Sequence, residues 1–288
     1  MTPDHRPQRI ASLQPSISIT LRDLGMIHRL AACTKYCVEA CPEIAQLDCA
    51  VIEDSWTAKA EEILAARPDL VIASVPYRIE SLTEIMKCGI PFVGLAPKSL
   101  ADVYADITMI AGLVGASERG VALIQRIKDE IESVREQTAR ISRPLVYCEE
   151  WGKPLIFSQS WVAEMVEAAG GRFLGEPGKQ TTADAVLVAA PDVMIAAWCG
   201  AGDRVPIEKT MARRGWQQTK MARERRVYCI QDEMLNTPAS NLLEGLHALA
   251  AAIHPEIFGE AKGLRRLEPQ SSEPGEALLS VLSNKSLP

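Results

Sequence analysis

The chain has 288 residues, of which 47% are hydrophobic and 24% charged, with a formal net charge of −6 and aromatic residues at only 5%. That length and apolar content can bury one large or two medium cores. The acidic balance excludes a general nucleic-acid binder, which needs a basic face for phosphates, and no run approaches the roughly 18 apolar residues of a membrane span.

In chain order, the first strand expected is 10–13, followed by a helix that ends near Leu24 and Gly25, where glycine suits a C-terminal cap. A second strand, 29–33, leads into a loop over 34–42 that contains Tyr36, Cys37 and Cys41. A helix over 58–66 then runs into AARPDLVIAS (65–74), whose apolar end has the composition of a strand buried on both faces. Helix 79–86, a stop at Gly89 and strand 91–95 complete a β-α-β-α-β unit.

Residues 99–138 read as about forty helical positions broken only between Gly112 and Ser117, with Ser99 and Ser117 as caps. Such a segment makes a stiff connector and leaves little room for large closure. A second unit begins with the strand at 144–148. It continues through helices 161–169 and 182–189 to VAAPDVMIAA (188–197), a copy of the earlier Pro-Asp strand, then strand 226–230 and helix 241–253. Two such units predict an α/β fold of two lobes, each around a mostly parallel sheet, with a ligand cleft between them. The divisions expected are an N-terminal lobe at 8–97, connecting helices at 98–141, a C-terminal lobe at 142–256 and a polar, loosely held tail at 257–288.

Ligands of open α/β sheets bind beyond the carboxyl ends of strands. That rule selects residues 14–16, 34–41, 74–77, 148–151, 198–202 and 231–234. Tyr36, Trp56, Tyr77, Trp151 and Trp198 gather in or near these positions, and flat aromatic faces suit a broad planar ligand. Ser16 and the helix start behind it could hold an anionic group or form an ordinary cap. The carboxylate pairs Glu149–Glu150 and Asp232–Glu233 are expected at the cleft mouth, with Glu150 and Glu233 as hydrogen-bond partners of a ligand or as solvated rim charges. No residue pattern couples them to a nucleophile, and neither a dinucleotide-binding nor a P-loop glycine motif is present. The four histidines, His5, His28, His247 and His254, all fall away from predicted strand ends.

Eight cysteines are too sparse for a disulfide scaffold in a chain of this size. Cys33, Cys37 and Cys41 follow C-x3-C-x3-C. Buried apolar cysteines are one reading; the other is a soft-metal or iron–sulfur site on Cys37, Cys41, Cys148 and Cys199.

The stretches RIASLQPS (9–16), TKYC (34–37), ILAARPDLVI (63–72), GIP (89–91), EW (150–151), WV (161–162), AAGG (168–171), PD (191–192) and GL (245–246) recur in order over residues 9–255. Together they resemble the helical-backbone type of periplasmic binding protein, the substrate-binding components of cobalamin and iron-siderophore transporters. TKYC, EEW (149–151) and WCG (198–200) look most like the cobalamin-binding branch. Three departures stand out: Ile17-Ser18-Ile19 follows Pro15-Ser16 where the family usually carries an acidic residue, the loop at Cys37 carries an extra Cys41, and DEMLNTP (232–238) replaces a glycine- and proline-rich turn.

The resemblance implies a non-enzymatic protein that holds a cobalamin-type corrinoid between its lobes, as a carrier or as a partner of an ABC-transporter permease. Ser16, Tyr36, Cys37, Trp56, Tyr77, Glu150, Trp151, Trp198, Cys199 and Glu233 would then line the site, with Cys37 or Cys199 near the cobalt. An iron–sulfur protein and a cofactor-dependent redox enzyme are the alternatives on the same fold. The polar start, MTPDHRPQR, carries no signal-peptide pattern, which reads as cytoplasmic, or as periplasmic if an export signal has been removed.

Overall fold

The computed structural model describes residues 6–268. The first lobe runs β1 (Ile10–Ser12), α1 (Pro15–Asp23), β2 (Leu30–Thr34), α2 (Lys35–Ala40), β3 (Ala50–Ile52), α3 (Ala60–Ala65), β4 (Leu70–Ser74), α4 (Ile79–Lys87) and β5 (Phe92–Leu95). Its sheet is wholly parallel, in the order β3-β2-β1-β4-β5. Side chains alternate between two cores. Ile10, Leu70 and Ile72 pack with α1, with Cys37 of α2 and with Cys41 just after it, while Ala11, Leu13, Val71 and Ala73 pack with α3 and α4.

Two expectations fail here. The loop over 34–42 is the helix α2 followed by a 3-10 turn at Pro42–Gln46, and β3 is an additional edge strand. Cysteine behaves as a small apolar residue, so Cys37 and Cys41, one turn apart and both fully buried, are the inward stripe of an amphipathic segment.

The connector is α5 (Leu100–Val114) and α6 (Ser117–Thr138), separated at Gly115, whose φ of +70° ends α5 in the left-handed region. Ser99 caps α5 as expected, its Oγ accepting from the Asp102 N–H at 3.2 Å. Ser117 does not cap; it lies inside α6, and Ala116 holds the cap position. The break lets the helices fold back on one another. A Cβ on Gly120 would come within 2.5 Å of the Ala111 Cβ, a close approach only glycine permits. Leu100, Val103 and Ile107 of α5 belong to the second lobe's core, and Ile110, Ala111 and Val114 to the first lobe's. One helix is therefore shared by the two cores.

The second lobe runs β6 (Leu145–Gly152), β7 (Leu155–Phe157), α7 (Ser160–Ala168), β8 (Arg172–Phe173), β9 (Gln180–Thr181), α8 (Ala183–Ala189), β10 (Val193–Ala196), α9 (Ile207–Arg213), α10 (Lys220–Arg223), β11 (Val227–Ile230), α11 (Glu233–Asn236), α12 (Leu242–Ile253), α13 (Pro255–Phe258) and β12 (Leu264–Arg266). Its sheet has the order β12-β11-β10-β6-β7-β9, with β8 also on β6. The centre, β11-β10-β6 with β8, is parallel; β7 and β12 run antiparallel to it, and β9 pairs antiparallel with β7. The second sheet is therefore mixed, because the β6–β7 hairpin and the returning C-terminal segment reverse direction at its edges.

The repeated Pro-Asp motif does the same work twice. Asp69 accepts the Gln8 and Arg9 N–H groups at 2.8 and 3.0 Å and returns its own N–H to the Arg9 carbonyl. Asp192 accepts the Leu145 N–H at 2.9 Å and returns its N–H to the Leu145 carbonyl. The residue before each proline, Arg67 or Ala190, has φ +50°. In both lobes the aspartate thus ties the entry of a later strand to the start of the first strand, β1 or β6.

The C-terminal segment is only partly the loose tail expected. β12 pairs antiparallel with β11, and Arg266 stacks over the Tyr228 ring at 5.8 Å. This pairing covers a strand edge that would otherwise expose unpaired backbone groups. Residues 269–288 of that expectation lie outside the described residues.

Candidate functional site

Beyond the carboxyl ends of the first sheet, Trp56 stands in the turn after β3, where Asp54 Oδ1 accepts the Trp56 and Thr57 N–H groups, each at 2.7 Å. Its indole donates to the Pro76 carbonyl at 3.2 Å, lies 5.7 Å from the Arg78 guanidinium and is 36% exposed. Tyr77 is differently placed. Its hydroxyl is 2.8 Å from the Leu95 carbonyl and 3.0 Å from the Ala73 carbonyl, bridging β5 and β4, and burial pushes its pKa up to about 12. That phenol is engaged in holding two strands together.

Ser16 is buried within α1, and its carbonyl accepts the Thr20 hydroxyl at 2.7 Å. The cap position belongs to Gln14, whose side chain reaches Ser55 Oγ at 3.3 Å. Tyr36 is half-buried on α2, with Lys35 Nζ 5.2 Å above its ring. Cys37 points into the core, 3.3 Å from Thr34 Oγ1 and 3.9 Å from Ser12 Oγ. Burial pushes the Cys41 thiol up to about 12, despite Arg22 nearby.

The four cysteine positions proposed for a metal part company. Cys148 is buried in β6, Cys199 is exposed in the turn after β10, and Cys37 and Cys41 remain in the first lobe's core. Among the described residues, no group of three or more His, Cys, Asp or Glu is placed to hold a metal ion. His28 lies in a 3-10 turn, His247 meets Glu130 on α6, and His254 is buried behind α12 near the Gly170 carbonyl. His5 lies outside the described residues.

Glu149, expected at the cleft mouth, is instead fully buried. Arg214 holds it with two hydrogen bonds, Nη1 to Oε2 at 2.7 Å and Nη2 to Oε1 at 2.9 Å. Tyr147 donates to Oε2 at 2.5 Å and Trp198 Nε1 to Oε1 at 2.7 Å, so the carboxylate is fully satisfied. Strand alternation explains the placement: Tyr147 and Glu149 face the α9 side of the sheet, and Cys148 and Glu150 face the α7 side.

On that other side, Glu150 accepts from Gln159 Nε2 at 2.7 Å and from the Cys199 thiol at 3.6 Å, and Asn236 Nδ2 donates to Cys199 Sγ at 3.3 Å. Asp232 accepts the Gly200 and Gly202 N–H groups, both at 2.7 Å, which fixes the turn carrying Cys199. Glu233 opens α11 and accepts from Gln231. Burial raises its pKa, with Asp232 and, from the first lobe, Glu39 adding to the effect.

Burial also lifts the Glu150 carboxyl above its ordinary range, against the hydrogen bonds from Gln159 and Cys199. A carboxyl raised on folding costs stability while ionised, and that cost fades as pH falls through the folded value toward the unfolded one near 4.5. Glu150→Gln is therefore expected to raise the urea midpoint slightly at pH 7.5, by less than about 1 kcal/mol in stability, and to lose that advantage by pH 4. A variant less stable than the parent at pH 7.5 would contradict this.

An open cavity of about 430 Å3 lies wholly within the second lobe, at the carboxyl ends of β6 and β10. Trp151, Gly152 and Lys153 of the hairpin, Trp198, and Thr210, Arg213 and Arg214 at the end of α9 line it. Trp151 is 44% exposed, its indole N–H donating to the Lys153 carbonyl at 3.0 Å. Gly152 is required by the fit of Trp198, since a Cβ there would lie 2.3 Å from the indole. The structure thus brings Trp151 and Trp198 together, Glu150 and Cys199 together, and Trp56 beside the Tyr77 segment. Arg213, Arg214 and Lys153 escaped the sequence reading. The available signal was the Arg-Arg-Gly-Trp run at 213–216, needed once Glu149 is buried.

Among curated proteins the chain is similar to an uncharacterized ABC transporter substrate-binding lipoprotein, YvrC, of Bacillus subtilis, 24% identical over 268 residues, covering 88% of this chain and 82% of that protein. Among solved structures it is similar to the periplasmic heme-binding protein RhuT from Roseiflexus sp. RS-1, with a TM-score of 0.74, 24% identity and coverage of 86% and 98%. The periplasmic vitamin B12-binding protein BtuF of Vibrio cholerae gives a TM-score of 0.69, 21% identity and coverage of 86% and 97%. These likenesses carry the two-lobed fold. With the periplasmic binding protein family matching residues 10–234, most of the chain, this protein belongs to that family.

Proposed function

We propose that this chain captures a corrinoid between its lobes and delivers it to an ABC-transporter permease. The observation that carries this reading is the pair of half-exposed indoles, Trp56 and Trp151, one beyond the strand ends of each lobe. An exposed indole leaves a large apolar face in water, and a broad planar ligand is what two such faces would cover. The resemblance of TKYC, EEW and WCG to the cobalamin-binding branch points the same way. With a lipoprotein and periplasmic proteins as its relatives, the place of work in this reading is outside the cytoplasmic membrane, and the cytoplasmic placement expected from the polar start finds no support among them.

The test is a titration followed by absorbance and calorimetry, with cyanocobalamin and dicyanocobinamide as probes and haemin as the competitor. Micromolar or tighter binding of a corrinoid, weaker binding of haemin, and a loss of about tenfold to a hundredfold in Trp56→Ala and in Trp151→Ala are expected, the worth of one well-packed aromatic face. Haemin bound tighter than either corrinoid would overturn the reading.

A further inference from the structure

The second-lobe cavity carries more positive charge than its internal pairing consumes. Arg214 is neutralised by Glu149, whose oxygens are fully engaged. Lys153 and Arg213 remain on the wall, both exposed, and among the described residues neither side chain takes part in an ion pair or hydrogen bond. Beside them lie two indoles: Trp198, held by Glu149, and the half-exposed Trp151. At about 430 Å3 the cavity is sized for a fragment and holds only one edge of a macrocycle.

We infer that this cavity is an anion subsite, which takes a carboxylate or phosphate borne at the periphery of the ligand between Lys153 and Arg213 while Trp151 and Trp198 cover the apolar surface next to it. The inference rests on the corrinoid reading above and adds the charge class of the ligand. Guanidinium and ammonium groups beside an apolar wall are suited to such an edge, because charge-assisted hydrogen bonds strengthen where water is partly excluded. The net charge of −6 disfavours any anion at long range, so a preference for an anionic ligand has to come from these local cations.

Three corrinoids separate the possibilities: dicyanocobyrinic acid with free carboxylates, cyanocobalamin with a phosphodiester, and dicyanocobinamide with neither. Either acid or phosphate is expected to bind about tenfold tighter than dicyanocobinamide in low salt. That advantage should vanish in the Lys153→Ala/Arg213→Ala double variant and shrink in 0.5 M salt. A preference for the acid identifies carboxylate as the anion, and a preference for cyanocobalamin identifies phosphate. Both substituted positions are exposed, and an unchanged melting temperature establishes that the fold is intact. Equal affinities for all three probes, or an advantage that survives in the double variant, overturn the anion subsite and leave the corrinoid reading standing. Failure of all three to bind overturns both.

Discussion

Arg214→Ala is expected to destabilise the protein by about 3–5 kcal/mol, the cost of leaving a buried carboxylate without its counter-charge. Glu149 is fully buried and the Arg214 side chain 10% exposed, and the two meet in a bidentate pair. Without the guanidinium, only Tyr147 and Trp198 would remain to solvate the charge. Arg214→Lys should cost less but more than a conservative change usually does, because one ammonium cannot make both parallel bonds. Replacing both partners, Glu149→Gln with Arg214→Met, should recover most of the loss, since the double change removes the unpaired charge. Urea unfolding followed by tryptophan fluorescence measures this directly, with Trp216 lying 4.9 Å from the guanidinium. An Arg214→Ala variant within about 1 kcal/mol of the parent would mean that water reaches Glu149.

Gly245→Ala is expected to cost about 3 kcal/mol, at the upper end of overpacking penalties. This glycine lies in α12, and a Cβ added there would meet the Met234 carbonyl at 2.1 Å and Leu235 Cδ2 at 2.9 Å. The obstacle is backbone, which cannot rotate away as a side chain can. Either α12 or α11 must move, and α11 carries Glu233 and Asn236 to the strand end where Cys199 is held. A fall of roughly 5–10 °C in melting temperature follows from the size of the protein, together with weaker corrinoid binding. Unchanged stability would show that the α11–α12 contact is slack.

Much of the fold was legible because it is encoded locally. The buried strands are short apolar runs, and Gly25 and Gly89 stop helices at positions with φ +65° and +62°. Ser99 caps α5 through its own neighbour three residues on. The errors have equally specific causes. The segment 34–42 is short, is dominated by the weak helix formers Thr34, Tyr36, Cys37 and Val38 and ends in Pro42, so it reads as a loop, and its helical stripe is made of cysteines that look like ligands. β12 was lost in a polar tail because its pairing with β11 depends on an edge that exists only in the assembled sheet. At the candidate site, Tyr36, Tyr77, Trp151, Trp198, Glu150, Cys199 and Glu233 are candidates selected by their positions after predicted strands. Arg213, Arg214 and Lys153 are not, because α9 carries no periodicity that points to the cavity.

The sequence by itself determined that there are two α/β units and where the later buried strand of each begins. Its repeated Pro-Asp turn is a local device, in which one aspartate captures the entry of the first strand of its lobe. Tertiary structure alone decided which groups face a ligand. Glu149 and Glu150 are adjacent in the chain, yet one is sealed behind Arg214, 65 residues away, and the other stays beside Cys199. That division follows from strand alternation and from the helices packed on either face of the sheet, and it exists only once distant segments have come together.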